Sequence, residues 1–361
     1  MKREAVKNIA FNRGVLPPES FPLNRLAECA QSVISKEGRQ ILQYGDAFGY
    51  APLREWIARQ HHASFENVIV GQGSLQLLDH LAHAWLSPDD LVFVEQPTYD
   101  RTLTIFRRAG LRIKGYSLVG GVIDLDAVEK DLQDGLIPSL FYVIPDFQNP
   151  SGALMPADVR VRLIELAKVY KFLLVEDGPY RELRYTGDPL PTLKEIDPGQ
   201  VLHMSSFSKL ISPGMRVGYM VGPQDLVALL GVYAQQTYIS PSNLDQAISE
   251  DFIRRGWMTD HLAALKTLYR PRLQALMDAL DIHFSQLGSW IQPQGGFFAG
   301  LTLYDKVAPL QKGALQAAGI TLSDNRGFFL EGGSHFIRLP FCALSPDQIM
   351  DGVAALRGII S

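Results

Sequence analysis

The sequence predicts an α/β fold: a large, mainly parallel central sheet, followed by a smaller α+β unit. Three observations predict it. First, six short segments read as strands or strands with their exit loops: "ENVIVGQGS" (66–74), "DLVFVEQPTY" (90–99), "LFYVIPDFQNP" (140–150), "FLLVEDGPY" (172–180), "VLHMSSFSK" (201–209) and "VGYMVG" (217–222). Most are continuous apolar runs, as expected of strands covered on both faces. Second, helical patterns such as "SLQLLDHLAHAWL" (74–86) and "ADVRVRLIELAKVYK" (157–171) lie between them. Third, a chain of 361 residues favours two domains, or one with a satellite.

In chain order, residues 1–39 are expected to pack on the smaller unit or on a neighbouring chain. Residues 40–256 form the large domain and 257–361 the small one. The boundary is placed near Gly256, because the helical pattern "WMTDHLAALKTLYRPRLQALMDAL" leaves the sheet region at Trp257, with Pro271 as a kink point.

Composition narrows the function. Hydrophobic residues make up 47% and charged residues 20%, ordinary for a soluble enzyme. A net charge of −4 gives no footprint for nucleic acid or an anionic membrane. Two distant cysteines, Cys29 and Cys342, suggest neither a disulfide framework nor a metal site. The start, "MKREAVKNIAFNRG", lacks the apolar stretch of a secretory signal, and no apolar run is long enough to span a membrane. A cytoplasmic protein is expected. His80 and His83 lie three apart on a helix without a third ligand nearby, so no metal is placed there.

The chemistry-bearing residues sit where the apolar runs stop, the place where open α/β sheets bind ligands. Lys209 follows the buried run 201–206 inside "SSFSKLISPGMRVG". Most lysines are solvated, but a desolvated one has a lowered pKa and becomes a nucleophile for a carbonyl. Ser206, Ser208 and Arg216 beside it suit a phosphate, which an arginine fork binds bidentately. "GQGSLQLLD" (71–79) brings a Gly-rich turn into a helix; Ser74 is either a cap or part of an anion site. Asp177 ends "FLLVED" and either caps a turn or meets a cation. Asn149 and Tyr180 are turn residues or donors to a ligand, and Tyr99 is a loop aromatic or a stacking platform. In "HFIRLPF", Ile337, Leu339 and Phe341 share a core face, and Arg338 points the other way with Phe336. That pattern alone fits a carboxylate clamp and a solvent-facing arginine equally.

Taken together, the segments resemble the class I/II aminotransferases of pyridoxal-phosphate (PLP) fold type I. The nearest likeness is to the branch of 2-aminoadipate and kynurenine aminotransferases and the effector domains of MocR-type regulators. The motifs, in order, are "LQYGDAFGYAPLREWIA" (42–58), "GQGSLQLLD", "VEQPTYD" (94–100), "FQNPSG" (147–152), "VEDGPYRELRY" (175–185), "SFSKLISPGMRVGY" (206–219), "QGGFF" (294–298) and "FIRLPF" (336–341). The resemblance implies a role for each residue. Lys209 would form the Schiff base with the cofactor and shuttle the proton. Asp177 would pair with the pyridine nitrogen. Asn149 and Tyr180 would bond the ring's phenolic oxygen, and Asn149 also lies at the substrate. Tyr99 would stack on the ring. Ser74, Leu75, Gln76, Ser206, Ser208 and Arg216 would hold the phosphate. Tyr44 would reach the neighbouring subunit's cofactor in a homodimer, and Arg338 would bind the substrate α-carboxylate. Departures from the family pattern include Ser205, Gly178 and Leu75, and "FNRGVLPP" (11–18) in place of a glycine-rich segment.

The expected activity is transfer of the amino group of an α-amino acid to a 2-oxo acid. The alternatives are another PLP reaction (oxidation, elimination or cyclisation) and, less so, a MocR-like sensor. Against the latter stand the net charge and a chain that starts almost directly at the fold.

Overall fold

The computed structural model describes residues 8–360; residues 1–7 of the N-terminal segment, and Ser361, lie outside them. All six apolar runs become strands of one eight-stranded sheet. In spatial order these are Val68–Gln72, Val217–Val221, Val201–Ser206, Leu173–Asp177, Leu140–Val143, Leu91–Gln96, Arg112–Val119 and Val122–Ile123. The pairings from Val201–Ser206 through to Arg112–Val119 are parallel. Val217–Val221 runs antiparallel to both its neighbours, and Val122–Ile123 is an antiparallel edge.

The runs are continuous because both faces of the sheet are covered. Val92, Val94, Tyr142 and Val175 pack with Leu77, Leu81, Leu103 and Phe106 on one side. Phe93, Phe141 and Leu174 pack with Val128, Leu132, Leu163 and Ala167 on the other. Each such side chain, fully buried, contributes about 1.5–3 kcal/mol. The two last strands escape a search for apolar runs. Arg112–Val119 carries Lys114, Gly115 and Ser117 and stays partly exposed near the edge.

The second unit is built on an antiparallel sheet of Gly288–Trp290, Phe298–Leu303 and Phe336–Pro340. Its long helix, Trp257–Phe284, begins after Gly256 and runs unbroken through Pro271. Leu276 and Leu280 of that helix share a core with Val353 and Leu356 of helix Pro346–Gly358. Near the N-terminus, Ile9–Phe11 pairs in parallel with Ile320–Leu322. Helix Leu23–Ile41 packs Val33 and Ile41 against Ala247. Cys29 and Cys342 are buried and free.

The parallel strands end together at Gln96, Val143, Asp177 and Ser206, and the turn after Gln72 joins them. Gly218 lets that turn approach. It pairs with Gly71 and Ser206, and a Cβ there would collide with the Ser74 amide nitrogen and lie 2.5 Å from the Gly73 carbonyl carbon. Backbone atoms cannot swing aside as a side chain can. Gly218→Ala is expected to cost about 2 kcal/mol, read as a lower urea midpoint. Gly313→Ala, where a Cβ meets nothing within 4 Å and the residue lies in helix Lys312–Ala317, is the control and should leave the midpoint unchanged or raise it slightly.

Candidate active site

Strand Val201–Ser206 breaks into a short 3-10 turn, Phe207–Lys209, capped by Ser206. The Ser206 hydroxyl accepts the Ser208 amide (3.1 Å) and donates to the Val217 carbonyl (3.1 Å). That turn delivers Lys209, whose Nζ donates to the Gly14 carbonyl at 3.0 Å. Burial lowers its pKa, and the cationic Arg338 and Arg216 add to the effect.

Asp177, at the end of the adjacent strand, is 6% exposed. Its Oδ2 accepts the Tyr142 hydroxyl at 2.5 Å, while Oδ1 is buried without a partner. Burial pushes its carboxyl pKa up to about 6, against the pull of the Tyr142 hydrogen bond.

Arg338 lies on a strand buried along its whole length. Parity places it opposite Ile337 and Leu339, as expected, but that face meets the cavity rather than solvent. Its Nη1 donates to Asn149 Oδ1 (3.1 Å) and its Nη2 to the Asn12 carbonyl (3.0 Å). The rings of Phe298 and Phe328 lie 4.9 and 4.5 Å from its guanidinium carbon. Arg216 adopts φ 55° and donates to the Gln72 carbonyl (3.3 Å) beside Gly73, whose φ of 86° begins helix Ser74–Ala84.

These groups share one cavity of about 680 Å³, a volume ordinary for a cofactor site. Ser74, Leu75, Tyr99, Asn149, Asp177, Tyr180, Ser206, Ser208, Lys209, Arg216 and Arg338 all line it. Gln76 and Tyr44 are not among its lining residues. The Gln76 side-chain oxygen accepts the Gln72 backbone N–H at 2.8 Å and the Gln76 backbone N–H donates to the Gly73 carbonyl, so this residue holds the turn. Tyr44 is 75% exposed. His80 packs against Tyr233 and Tyr238, and His83 bonds the Asp79 carbonyl.

Sequence reasoning missed three participants. Tyr142 sits inside an apolar run and reads as core; its signal is that a buried phenol needs a polar partner. The carbonyls of Asn12 and Gly14 leave no mark in a sequence.

With this geometry in place, likeness to known proteins decides the family. The profile "Aminotransferase class I and II" matches residues 8–356. The chain belongs to the class I and II aminotransferase family. An aromatic-amino-acid aminotransferase of Thermococcus litoralis is 31% identical over 98% of this chain and 88% of its own length. The crystal structure of a multiple substrate aminotransferase from Thermococcus profundus superimposes with a TM-score of 0.93 at 30% identity, covering 99% of this chain and 92% of that one. An α-aminoadipate aminotransferase from Thermus thermophilus, complexed with N-(5'-phosphopyridoxyl)-L-leucine, gives a TM-score of 0.92 at 31% identity over 97% and 91% of the chains. A helix-turn-helix regulator of Bacillus subtilis is 27% identical over 96% of this chain but only 72% of its own. This aminotransferase is thus an enzyme of amino-group transfer on an α/β fold with a mostly parallel central sheet. No described helix is long and apolar enough to cross a membrane.

The Tyr142–Asp177 contact yields a pH test. Tyr142→Phe keeps the ring and removes the donor, so the Asp177 pKa should climb further above about 6, by about one pH unit. The protonated-carboxyl infrared band of Asp177, assigned by its loss in Asp177→Asn, reads this directly. An unchanged titration would show that the hydroxyl does not stabilise the carboxylate.

Proposed function

We propose that this aminotransferase holds pyridoxal phosphate in the cavity described above and moves the amino group of an α-amino acid to a 2-oxo acid. One observation carries the reading. A buried carboxylate oxygen without a partner, Asp177 Oδ1, lines the same cavity as a desolvated lysine. A protonated pyridine nitrogen would satisfy the first, and an aldehyde would engage the second. The phosphate fits too: Ser208 Oγ is buried without a partner, close to Arg216 and the start of helix Ser74–Ala84.

When bound, the cofactor supplies a carbonyl for the lysine and an electron sink for the substrate's α-carbon. The chain's own residues do the rest. Lys209, its pKa lowered by burial, would take the proton from the substrate's α-carbon and deliver it to the cofactor's C4′ carbon, and the reverse in the second half-reaction. Asp177 holds the ring nitrogen protonated. Asn149 and Tyr180 bond the phenolic oxygen, and Tyr99 covers one ring face. Ser74, Leu75, Ser206, Ser208 and Arg216 fix the phosphate, and Gln76 supports their turn. Arg338 binds the substrate α-carboxylate, with Asn149 beside it. Tyr44, an exposed aromatic, reaches the phosphate site of a second subunit in a homodimer, and the enzyme works in the cytoplasm.

The reading is tested by offering a panel of amino acids and 2-oxo acids to the purified protein. New amino acid formed from the oxo acid supports it; oxygen uptake or ammonia release instead would place another reaction on this site.

Lys209→Ala should abolish transfer while cofactor binding persists through Asp177, Arg216 and the serines. Borohydride should fix the cofactor to Lys209 in the wild type, and peptide mass mapping to any other lysine would refute the assignment.

Arg338→Lys should raise KM for both amino acid and oxo acid by about thirtyfold, because a point charge cannot reproduce the bidentate fork. Cofactor affinity should hardly change. Equal losses for amino acids and for amines lacking the carboxylate would make Arg338 structural.

A further inference from the structure

A second cavity, of about 470 Å³, lies on the other face of the strands that build the active site. Strand alternation divides them. Asp177, Met204 and Ser206 line the first cavity, whereas Gly178, His203 and Ser205 line the second, and Pro179 lines both. Trp56 from helix Ala51–Gln60, and Met258 and Leu262 from helix Trp257–Phe284, complete its walls.

Its polar centre is His203, 2% exposed. Nδ1 meets Glu176 Oε2 at 2.9 Å. Burial raises the Glu176 pKa, but the bonds from His203 and two backbone amides hold it below its ordinary value, so Nδ1 faces an anion and carries a proton. Nε2 has no hydrogen-bond partner among the described residues. It faces Gly178, where a Cβ would lie 3.1 Å from the imidazole Cε1 and 3.7 Å from Nε2. Residue 178 departs from the family pattern, and its lack of a side chain uncovers this edge of the ring. Ser205, a second departure, donates to the Gly178 carbonyl at 3.1 Å and holds it in place.

Flat rings surround the uncovered nitrogen. The His61 ring lies 4.7 Å from that of His203, and its Nε2 meets the Tyr219 hydroxyl at 3.2 Å. Burial pushes the His61 pKa down to about 3, so it stays an uncharged ring. Trp56 and Phe207 lie 6.1 Å apart. Arg181 lines the same cavity. It shares Asp146 with Arg160 and Arg184 and has Glu195 at 3.4 Å. Three guanidinium groups thus share two carboxylates, which favours an anion beside them. Glu182, at the mouth, is exposed and screened by water.

We propose that the second cavity is a ligand site for a small aromatic carboxylic acid, its carboxyl group on His203 Nε2 and its ring among Trp56, His61, Phe207 and Tyr219. A carboxyl group suits Nε2 in either form: bare, the nitrogen takes the acid's proton; protonated, it donates to the carboxylate. The site is independent of amino-group transfer.

2-Naphthoate and its uncharged isostere 2-naphthamide test it by calorimetry on the holoenzyme. Arg338→Gln removes the carboxylate partner of the first cavity, so the binding that persists there belongs to the second. In that background the acid should bind about tenfold more tightly than the amide, the worth of one charge-assisted contact. His203→Asn keeps a donor towards Glu176 and deletes Nε2, and should bring the acid down to the amide. His203→Gln, whose amide reaches the Nε2 position, should restore part of the difference. Trp56→Leu leaves the Glu176–His203 bond alone and should weaken acid and amide alike by about fivefold; it decides the matter should His203→Asn fail to fold. Absence of 2-naphthoate binding in Arg338→Gln, equal affinity for acid and amide, or affinities unmoved by the His203 and Trp56 substitutions would each overturn the proposal.

Discussion

The site depends on where strand Leu173–Asp177 places two adjacent carboxylates. Strand alternation sends Glu176 and Asp177 to opposite faces of the sheet, and both are almost fully buried. Glu176 receives His203 Nδ1 (2.9 Å) and the amides of Leu193 (2.8 Å) and Lys194 (3.2 Å). Burial raises its pKa, yet these bonds outweigh it and leave the carboxyl below its ordinary value. Asp177 receives only the Tyr142 hydroxyl and settles at about 6. Equal burial with unequal donors makes one acid a structural anion and the other an unmet demand for a cation. Well below about pH 4 that demand costs nothing, because the carboxyl is neutral in folded and unfolded chains alike. Between about pH 4, where the carboxyl ionises in the unfolded chain, and about 6, where it ionises in the folded one, the penalty grows to on the order of 3 kcal/mol and then levels off. A cationic ring nitrogen at Oδ1 would offset that penalty.

Two buried arginines repeat the contrast. Arg160 is fully buried and faces Asp146 at 2.9 Å, with the carbonyls of Met155, Pro145 and Pro191 completing its shell. Its charge is neutralised within the fold, so it braces the loop after strand Leu140–Val143. Arg338 is nearly as buried, but its partners are neutral: an amide oxygen, a carbonyl, the Ser323 hydroxyl and two aromatic faces. They satisfy its geometry without cancelling its charge. A substrate carboxylate, as proposed, would supply what they lack.

Much of this was legible in the sequence because polar residues at the ends of doubly covered strands stand out against their apolar surroundings. Lys209, Asp177, Asn149 and Tyr180 are conspicuous for that reason. Tyr142 is not, because an aromatic ring in an apolar strand looks like packing until its hydroxyl is followed to Asp177. The alternation around Arg338 gave its face but not what that face meets. Only the fold shows that Gly300 pairs opposite it and that Phe298 and Phe328 close over it. Strand Arg112–Val119 was illegible because its position near the edge of the sheet tolerates lysine and serine, which erase the apolar run.

The carbonyls of Asn12 and Gly14 are the least legible part and bear most on how a substrate enters. On the proposed function, each holds a donor that the substrate or cofactor would also need, so binding would exchange one acceptor for another. The gain is then the difference between a neutral carbonyl and a charged or covalent partner, rather than a whole new hydrogen bond. Asn12 and Gly14 belong to one short segment beside strand Ile9–Phe11, so the same stretch of backbone positions both acceptors.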